Sequence, residues 1–164
     1  MKNENTLLRV ALGAIGGMIG TVAIFSALAA NKKLASETEA PLKEDPGEFM
    51  VETAENQTLT KKEQREVPKI AETVAANALH FSYGASGGAL YALLRPKSEN
   101  LILEGAALGT AIWAIGYLGW LPAVGLLPPP TEQKPIQVFT PVWQHWLYGV
   151  VTIAAYEQLR KLAS

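Results

Sequence analysis

The chain of 164 residues contains no cysteine, one aspartate and two histidines. Without cysteine, disulfide frameworks, zinc ribbons, iron–sulfur ligation and thiol catalysis are all excluded. Asp45 lies in a charged segment, and no Ser or Thr has an evident His and acid partner set, so no hydrolytic constellation is legible. The glycines fall inside apolar runs instead of a strand–loop–helix, which argues against nucleotide binding. Lys and Arg nearly balance Asp and Glu, for a net charge of −1, and no basic cluster lies away from the apolar runs. Nucleic acid is therefore not an expected partner, and the chain reads as a non-enzyme with no metal site built from clustered ligands.

Charge is also scarce over most of the length. Sixteen of the chain's acidic and basic side chains fall between Asn31 and Lys69, leaving the rest far more apolar than the average composition suggests. The stretches Val10–Ala30, Ala71–Leu94, Leu101–Val124 and Val138–Leu159 hold only Glu72, Glu104 and Glu157, and no Lys or Arg. Each is about long enough to cross a hydrocarbon core of ~30 Å. The expected fold is an all-α integral membrane four-helix bundle. Its parts are a first transmembrane helix over 1–30, a polar extramembrane loop over 31–69, a second helix over 70–95, a third over 100–121, a proline-rich loop over 122–140 and a fourth helix over 141–162. The three glutamates sit near helix ends, where they can reach water.

The first run ends near Ala27-Leu28-Ala29, which would suit a signal peptidase, but it is longer than the ~7–15 residues of a signal core. It also carries Gly13, Gly16, Gly17 and Gly20 on one helical face, so it reads as a retained helix. The polar segment reads as a partly ordered connector, with Thr60 and Glu63 as a capping box for a short helix. Pro68 suits the start of the second helix, and Ser98 or Asn100 can cap the third. Leu121-Pro122 should stop or kink the third helix, because proline pushes the preceding residue out of helical geometry. Pro128-Pro129-Pro130 should be extended, and Pro141 should open the regular part of the fourth helix. Lys and Arg concentrated in short segments near helix ends place both termini in the cytoplasm. Trp120, Trp143 and Trp146 gather near the proline loop, as an interfacial belt would.

An internal repeat carries the most information. HFSYGASGGALYALLR from His80 to Arg95 aligns with HWLYGVVTIAAYEQLR from His145 to Arg160 at seven identical positions, including both histidines. Tyr83, Gly84, Tyr91 and Arg95 match Tyr148, Gly149, Tyr156 and Arg160. The first and third runs match more weakly, Gly13-Ala14 and Gly17 against Gly105-Ala106 and Gly109. The simplest origin is a duplicated helical hairpin, giving two parallel repeats related by a pseudo-twofold axis along the membrane normal. His80, Tyr83, Tyr91 and Arg95 share one helix face, as do His145, Tyr148, Tyr156 and Arg160. Polar groups in hydrocarbon need partners, so both stripes should face the bundle interior with the imidazoles at one depth.

Three uses of those stripes are open. His and Tyr can hydrogen-bond across helices and fix register. His80 and His145 can ligate a b-type haem between facing helices. The His/Tyr stripe can line the path of a small transporter or hold a small ligand, with the proline-broken end of the third helix as a gate. Gly13, Gly17 and Gly20, Gly84 and Gly88, and Gly105, Gly109 and Gly116 are read as helix-packing glycines. The partners expected are the lipid bilayer and a membrane-protein partner or a second copy.

His-x-x-Tyr-Gly with a downstream Tyr and Arg in both repeats, together with Trp113-x-x-x-Tyr117-x-Gly119-Trp120-Leu121-Pro122, resembles small bacterial inner-membrane proteins of the YagU-like type. The resemblance runs from about Pro68 to Leu162. It implies the fold class and a bacterial cytoplasmic membrane, with no catalytic residues to carry over. The role it leaves is a structural, assembly or stress-related component.

Overall fold

The computed structural model of the chain describes residues 5–94 and 98–163, and among these it contains helices and turns but no strand. Helix α1 (Thr6–Leu34) is capped by the Asn5 side chain, which accepts from the Leu7 amide at 2.9 Å. After a 3-10 turn at Ser36–Thr38 come α2 (Pro46–Thr58) and α3 (Lys61–Glu66). The Thr60/Glu63 capping box is present at the start of α3. Helix α4 covers Lys69–Leu94 and α5 Leu101–Ala123, the latter capped by Asn100. Helix α6 covers Pro135–Leu162.

Three local expectations are corrected. The segment over 31–69 is an ordered cap, built as two helices, rather than a partly ordered connector. Its start signal is Asp45 followed by Pro46: the carboxylate accepts from the Gly47 and Glu48 amides at 2.8 and 3.1 Å, and proline fits the first helical turn, where its missing N–H costs nothing. Leu121 is not pushed out of helical geometry, and the helix ends one residue past Pro122, at Ala123. Leu121 keeps helical angles (φ −59, ψ −47), and the preceding Ala114–Trp120 is wound as a wider π-helix. A proline ring clashes with the carbonyl four residues back, and π winding moves that carbonyl out of its way. Beyond Ala123 the chain turns at Gly125, whose φ of 77° few other residues adopt. There the Leu126 amide reaches the Leu121 carbonyl at 3.0 Å and the Gly125 amide that of Pro122 at 3.0 Å. Finally, α6 begins at Pro135, almost two turns before Pro141, which is enclosed within the helix and fully buried. Gln137 supports that early start by accepting from the Lys134 amide at 3.2 Å.

The four long helices pack as a chain of neighbours, α4 on α1, α1 on α6 and α6 on α5. Each contact is a glycine seam. Between α1 and α4, a Cβ added at Gly17 would collide with the Gly84 carbonyl, and one at Gly13 or Gly88 would collide across the same seam. Gly16 and Gly20 face α6 instead, where added Cβ atoms would stand 2.7 Å from the Thr152 carbonyl oxygen and 2.8 Å from that of Tyr148. The four glycines of α1 therefore form two adjacent stripes serving two neighbours, not a single face. Gly105 and Gly109 form the third seam, against Val150, Gly149 and the His145 carbonyl. Gly17 faces Gly84, whereas its counterpart Gly109 faces His145, one turn before Gly149. The two hairpins are thus joined in registers one turn apart.

The fourth side of the bundle, between α4 and α5, is barely in contact. The positions that correspond in the repeat to Gly16 and Gly20 are Leu108 and Ile112. Ile112 Cδ1 stands 3.0 Å from the place of a Cβ at Gly87 and already fills the space α4 would need. Two helices, Thr6–Leu34 and Leu101–Ala123, are long and apolar enough to cross a membrane, with mean hydropathies of 1.9 and 1.6.

Candidate functional site

The open side holds a cavity of about 200 Å³ at the end of the bundle nearest the α2 cap. His80 and Tyr83 reach it from α4, His145 and Tyr148 from α6, and both histidines line this one space. The repeat thus brings its paired imidazoles together. The walls are mainly apolar and aromatic, with Phe25 from α1 and Tyr117 and Trp120 from the π segment. Gly116 also lines the cavity. A Cβ there would meet nothing nearer than Leu121 Cδ1 at 3.9 Å, so its assignment as a helix-packing glycine is corrected: it borders space.

The polar segment supplies the roof. Leu42, Asp45 and Pro46 line the cavity, and Ala40, Leu42 and Phe49 pack with Tyr117 and Trp120 on Leu121, Leu126 and Leu127. Burying Leu126 and Leu127, each 2% exposed, stabilises this cap by about 2 kcal/mol apiece. The Lys43 amide adds a 3.0 Å bond to the Leu126 carbonyl. Where α2 meets α4 the backbones nearly touch, because Gly47 leaves only 2.7 Å between a hypothetical Cβ and the Ala76 carbonyl oxygen.

Asp45 joins the roof to the bundle. Its two carboxylate oxygens lie 3.0 and 3.2 Å from His80 Nε2 while one of them also caps α2. Partial burial pushes the Asp45 carboxyl up, but its bond and charge interaction with His80 and the amides of Glu48 and Gly47 outweigh that and leave it below the usual value. His80 is therefore not paired within its own stripe but with the cap. No local sequence pattern links the two groups, because 35 residues separate them. His145 instead bonds its own helix, Nδ1 to the Pro141 carbonyl oxygen at 2.7 Å. Proline at 141 still presents a carbonyl, and the acceptor there fixes the tautomer: Nδ1 carries the hydrogen. Tyr117 meets the His145 ring edge to face, centroids 5.5 Å apart.

The rest of the stripe divides. Tyr148 is buried and donates to the Gly84 carbonyl at 2.7 Å, tying α6 to α4. Tyr83 is 42% exposed, at the open side, and faces the Ile112 carbonyl at 3.5 Å, so its expected interior position is corrected. Tyr91 and Tyr156, counterparts in the repeat, meet edge to face at 6.1 Å in the core of the opposite end. Tyr91 donates to Glu104 at 2.6 Å, and Arg160 pairs with Glu157 at 3.0 Å. Arg95 lies outside the described residues. Glu104 and Glu157 also do more than reach water. Glu157 accepts from the Ser98 amide at 2.8 Å, and Glu104 from those of Glu99 and Asn100 at 2.8 and 3.2 Å, so together they hold Ser98, Glu99 and Asn100 ahead of α5.

A haem between the histidines would need both rings to turn a nitrogen to a common centre. Here His80 Nε2 faces Asp45 and His145 Nδ1 faces its own backbone. The space is also below the ~300 Å³ at which drug-sized ligands begin. A single small ring fits it better. No family model matches the chain, and no curated protein or solved structure is similar to it.

Proposed function

We propose that the chain is a four-crossing membrane protein of a bacterial cytoplasmic membrane, in which α1, α4, α5 and α6 span the bilayer and the protein serves a non-enzymatic structural, assembly or stress-related role. The observation that carries this reading is the outward face of each long helix. Ile15, Met18, Ile19 and Val22 on α1, Leu90 and Leu93 on α4, Ile115 and Leu118 on α5, and Trp143, Trp146 and Leu147 on α6 are all exposed. The seam glycines, with Thr21, Thr140, Thr152, Tyr91, Tyr148 and Tyr156, face inward. An exposed apolar belt around polar and small interior positions suits lipid as the outer solvent. Helices α4 and α6, of 26 and 28 residues, reach about 39 and 42 Å at ~1.5 Å per residue, ample for a crossing. Buried Tyr91, Tyr148, Tyr156 and Gln144 lower the hydropathy of α4 and α6, and the exposed Asn77, Ser82, Tyr83 and Ser86 lower that of α4 further.

Both termini then lie in the cytoplasm, with the α2–α3 cap and the proline loop on the other side, and α1 is a retained crossing because two glycine seams depend on it. The chain lacks cysteine, so Glu55→Cys and Thr131→Cys each introduce a unique label site. In intact cells both should react with an impermeant maleimide while a cysteine at the C-terminal Ala163 reacts only after permeabilisation. Labelling of all three only after permeabilisation would overturn the orientation, and release of the protein by alkaline carbonate would overturn the crossings.

A further inference from the structure

We infer that the capped cavity is a binding site for a single-ring phenol, held with its hydroxyl on His145 and its ring among Phe25, Tyr117 and Trp120. Size sets the ring count. A dry cavity of about 150 Å³ takes up benzene, so about 200 Å³ holds one six-membered ring, with any longer substituent leaving through the open side between α4 and α5. The mainly apolar and aromatic walls favour a ring over a sugar or an amino acid.

The direction of the hydrogen bonds sets the polar group. Thr21 donates to the Gly17 carbonyl at 2.9 Å, Tyr148 to that of Gly84 at 2.7 Å, and His145 Nδ1 to that of Pro141 at 2.7 Å. His80 Nε2 faces the Asp45 carboxylate at 3.0 Å. These four donors are committed to the protein, and two further donors of the lining, the Tyr117 hydroxyl and the Trp120 N–H, belong to the rings that would flank the ligand. What His145 keeps is the lone pair of Nε2, since its hydrogen is on Nδ1. A ligand matched to that group must bring a donor, and a phenolic O–H on an apolar ring does so. A carbonyl or ether oxygen at the same place would face the lone pair and be repelled.

The site also explains two features that packing alone leaves idle. Gly116 is buried, yet a Cβ there would meet no neighbouring helix, and α5 is wound wide from Ala114 to Trp120, opposite His145, where the cavity lies. π turns recur at functional sites because they turn side chains and leave space inside a helix.

The test uses the full chain in detergent micelles and titration calorimetry with phenol and with toluene, which has the same ring and no donor. Gly116→Leu fills the cavity without a backbone clash and serves as the blank for partition into micelles. Phenol should bind the wild type saturably, roughly two- to tenfold more tightly than toluene, the range of one net hydrogen bond. Gly116→Leu should abolish saturable binding of both, and His145→Phe should bind both while erasing the preference. Equal affinity for phenol and toluene in the wild type overturns the proposal whether or not the His145 variant folds. So does saturable phenol binding that survives Gly116→Leu. A tailed benzenediol tested alongside free phenol separates the sources: competition with phenol means that a membrane lipid can supply the ring, and its exclusion limits the site to free small phenols. Neither result depends on the orientation of the helices in the bilayer.

Discussion

Two sides of the bundle occupy equivalent positions in the repeat, yet α1–α6 is closed and α4–α5 is open. On the closed side Gly16 and Gly20 let the backbone of α6 approach until only hydrogen atoms separate the chains. On the open side Leu108 and Ile112 stand in their places, and Ile112 props α4 away at Gly87. Four branched side-chain carbons per position decide whether a seam or a cavity forms. Duplication supplied two identical chances to close a bundle, and side-chain volume at two positions on one helix separated them. The tyrosines respond accordingly: Tyr148 is buried and donates to Gly84, while Tyr83 is part-exposed with a long 3.5 Å contact.

The largest way to break this contrast is to fill a seam. Gly17→Leu or Gly20→Leu should cost about 3 kcal/mol or more in detergent unfolding, because the obstructing atoms are backbone carbonyls that no rotamer change relieves. Ile19→Leu, on the exposed side of the same helix, should change stability by about 0.5 kcal/mol or less. To sharpen the contrast, the double variant Leu108→Gly, Ile112→Gly gives α5 the face of α1. It should draw α4 inward and lower phenol affinity at least roughly tenfold, since the space itself is lost. A smaller effect follows from Tyr148→Phe, which removes one buried hydrogen bond across the axis and should cost about 1 kcal/mol, whereas Tyr83→Phe should be close to neutral.

The smallest effect belongs to the cap. The Asp45 carboxyl sits below its ordinary value in the folded protein, so its stabilising contribution is complete above about pH 4 and is lost as pH falls through the folded value. Wild-type thermal stability should therefore drop on acidification below about pH 4, and Asp45→Asn should flatten the curve in that window. An identical slope in the variant would mean that the Asp45–His80 bond does not hold the roof.

The glycines were readable because a small residue repeated every third or fourth position has one dominant use in an apolar helix. Gly116 was misassigned for the same reason: its spacing matches a seam, and only the position of its neighbours shows that none is there. The histidine pairing of the repeat placed His80 and His145 at one site, but not that Asp45 would reach His80, since a contact across a folded cap leaves no local pattern. Asp45-Pro46 and Gly125 were available as helix start and stop signals, and with them the ends of α2 and α5 would have been legible. The open side was hidden for a different reason. Of its helices, α4 matches α6 in the polar stripe and α5 matches α1 in Gly105, Ala106 and Gly109, while Leu108 and Ile112 are unremarkable residues for an apolar helix and acquire meaning only against Gly16 and Gly20.

The central claim, that one of two equivalent sides is open, is tested most directly by distance. Spin labels at Ile19→Cys and Leu147→Cys report the closed side, and labels at their counterparts, Ala111→Cys and Ser82→Cys, report the open one. All four positions are exposed and the chain has no other thiol. In lipid nanodiscs the Ser82–Ala111 distance should be longer than the Ile19–Leu147 distance, and the gap should narrow in the Leu108→Gly, Ile112→Gly background. Equal distances in the unmodified background would mean that the two sides pack alike, which would contradict both the asymmetry and the cavity it leaves.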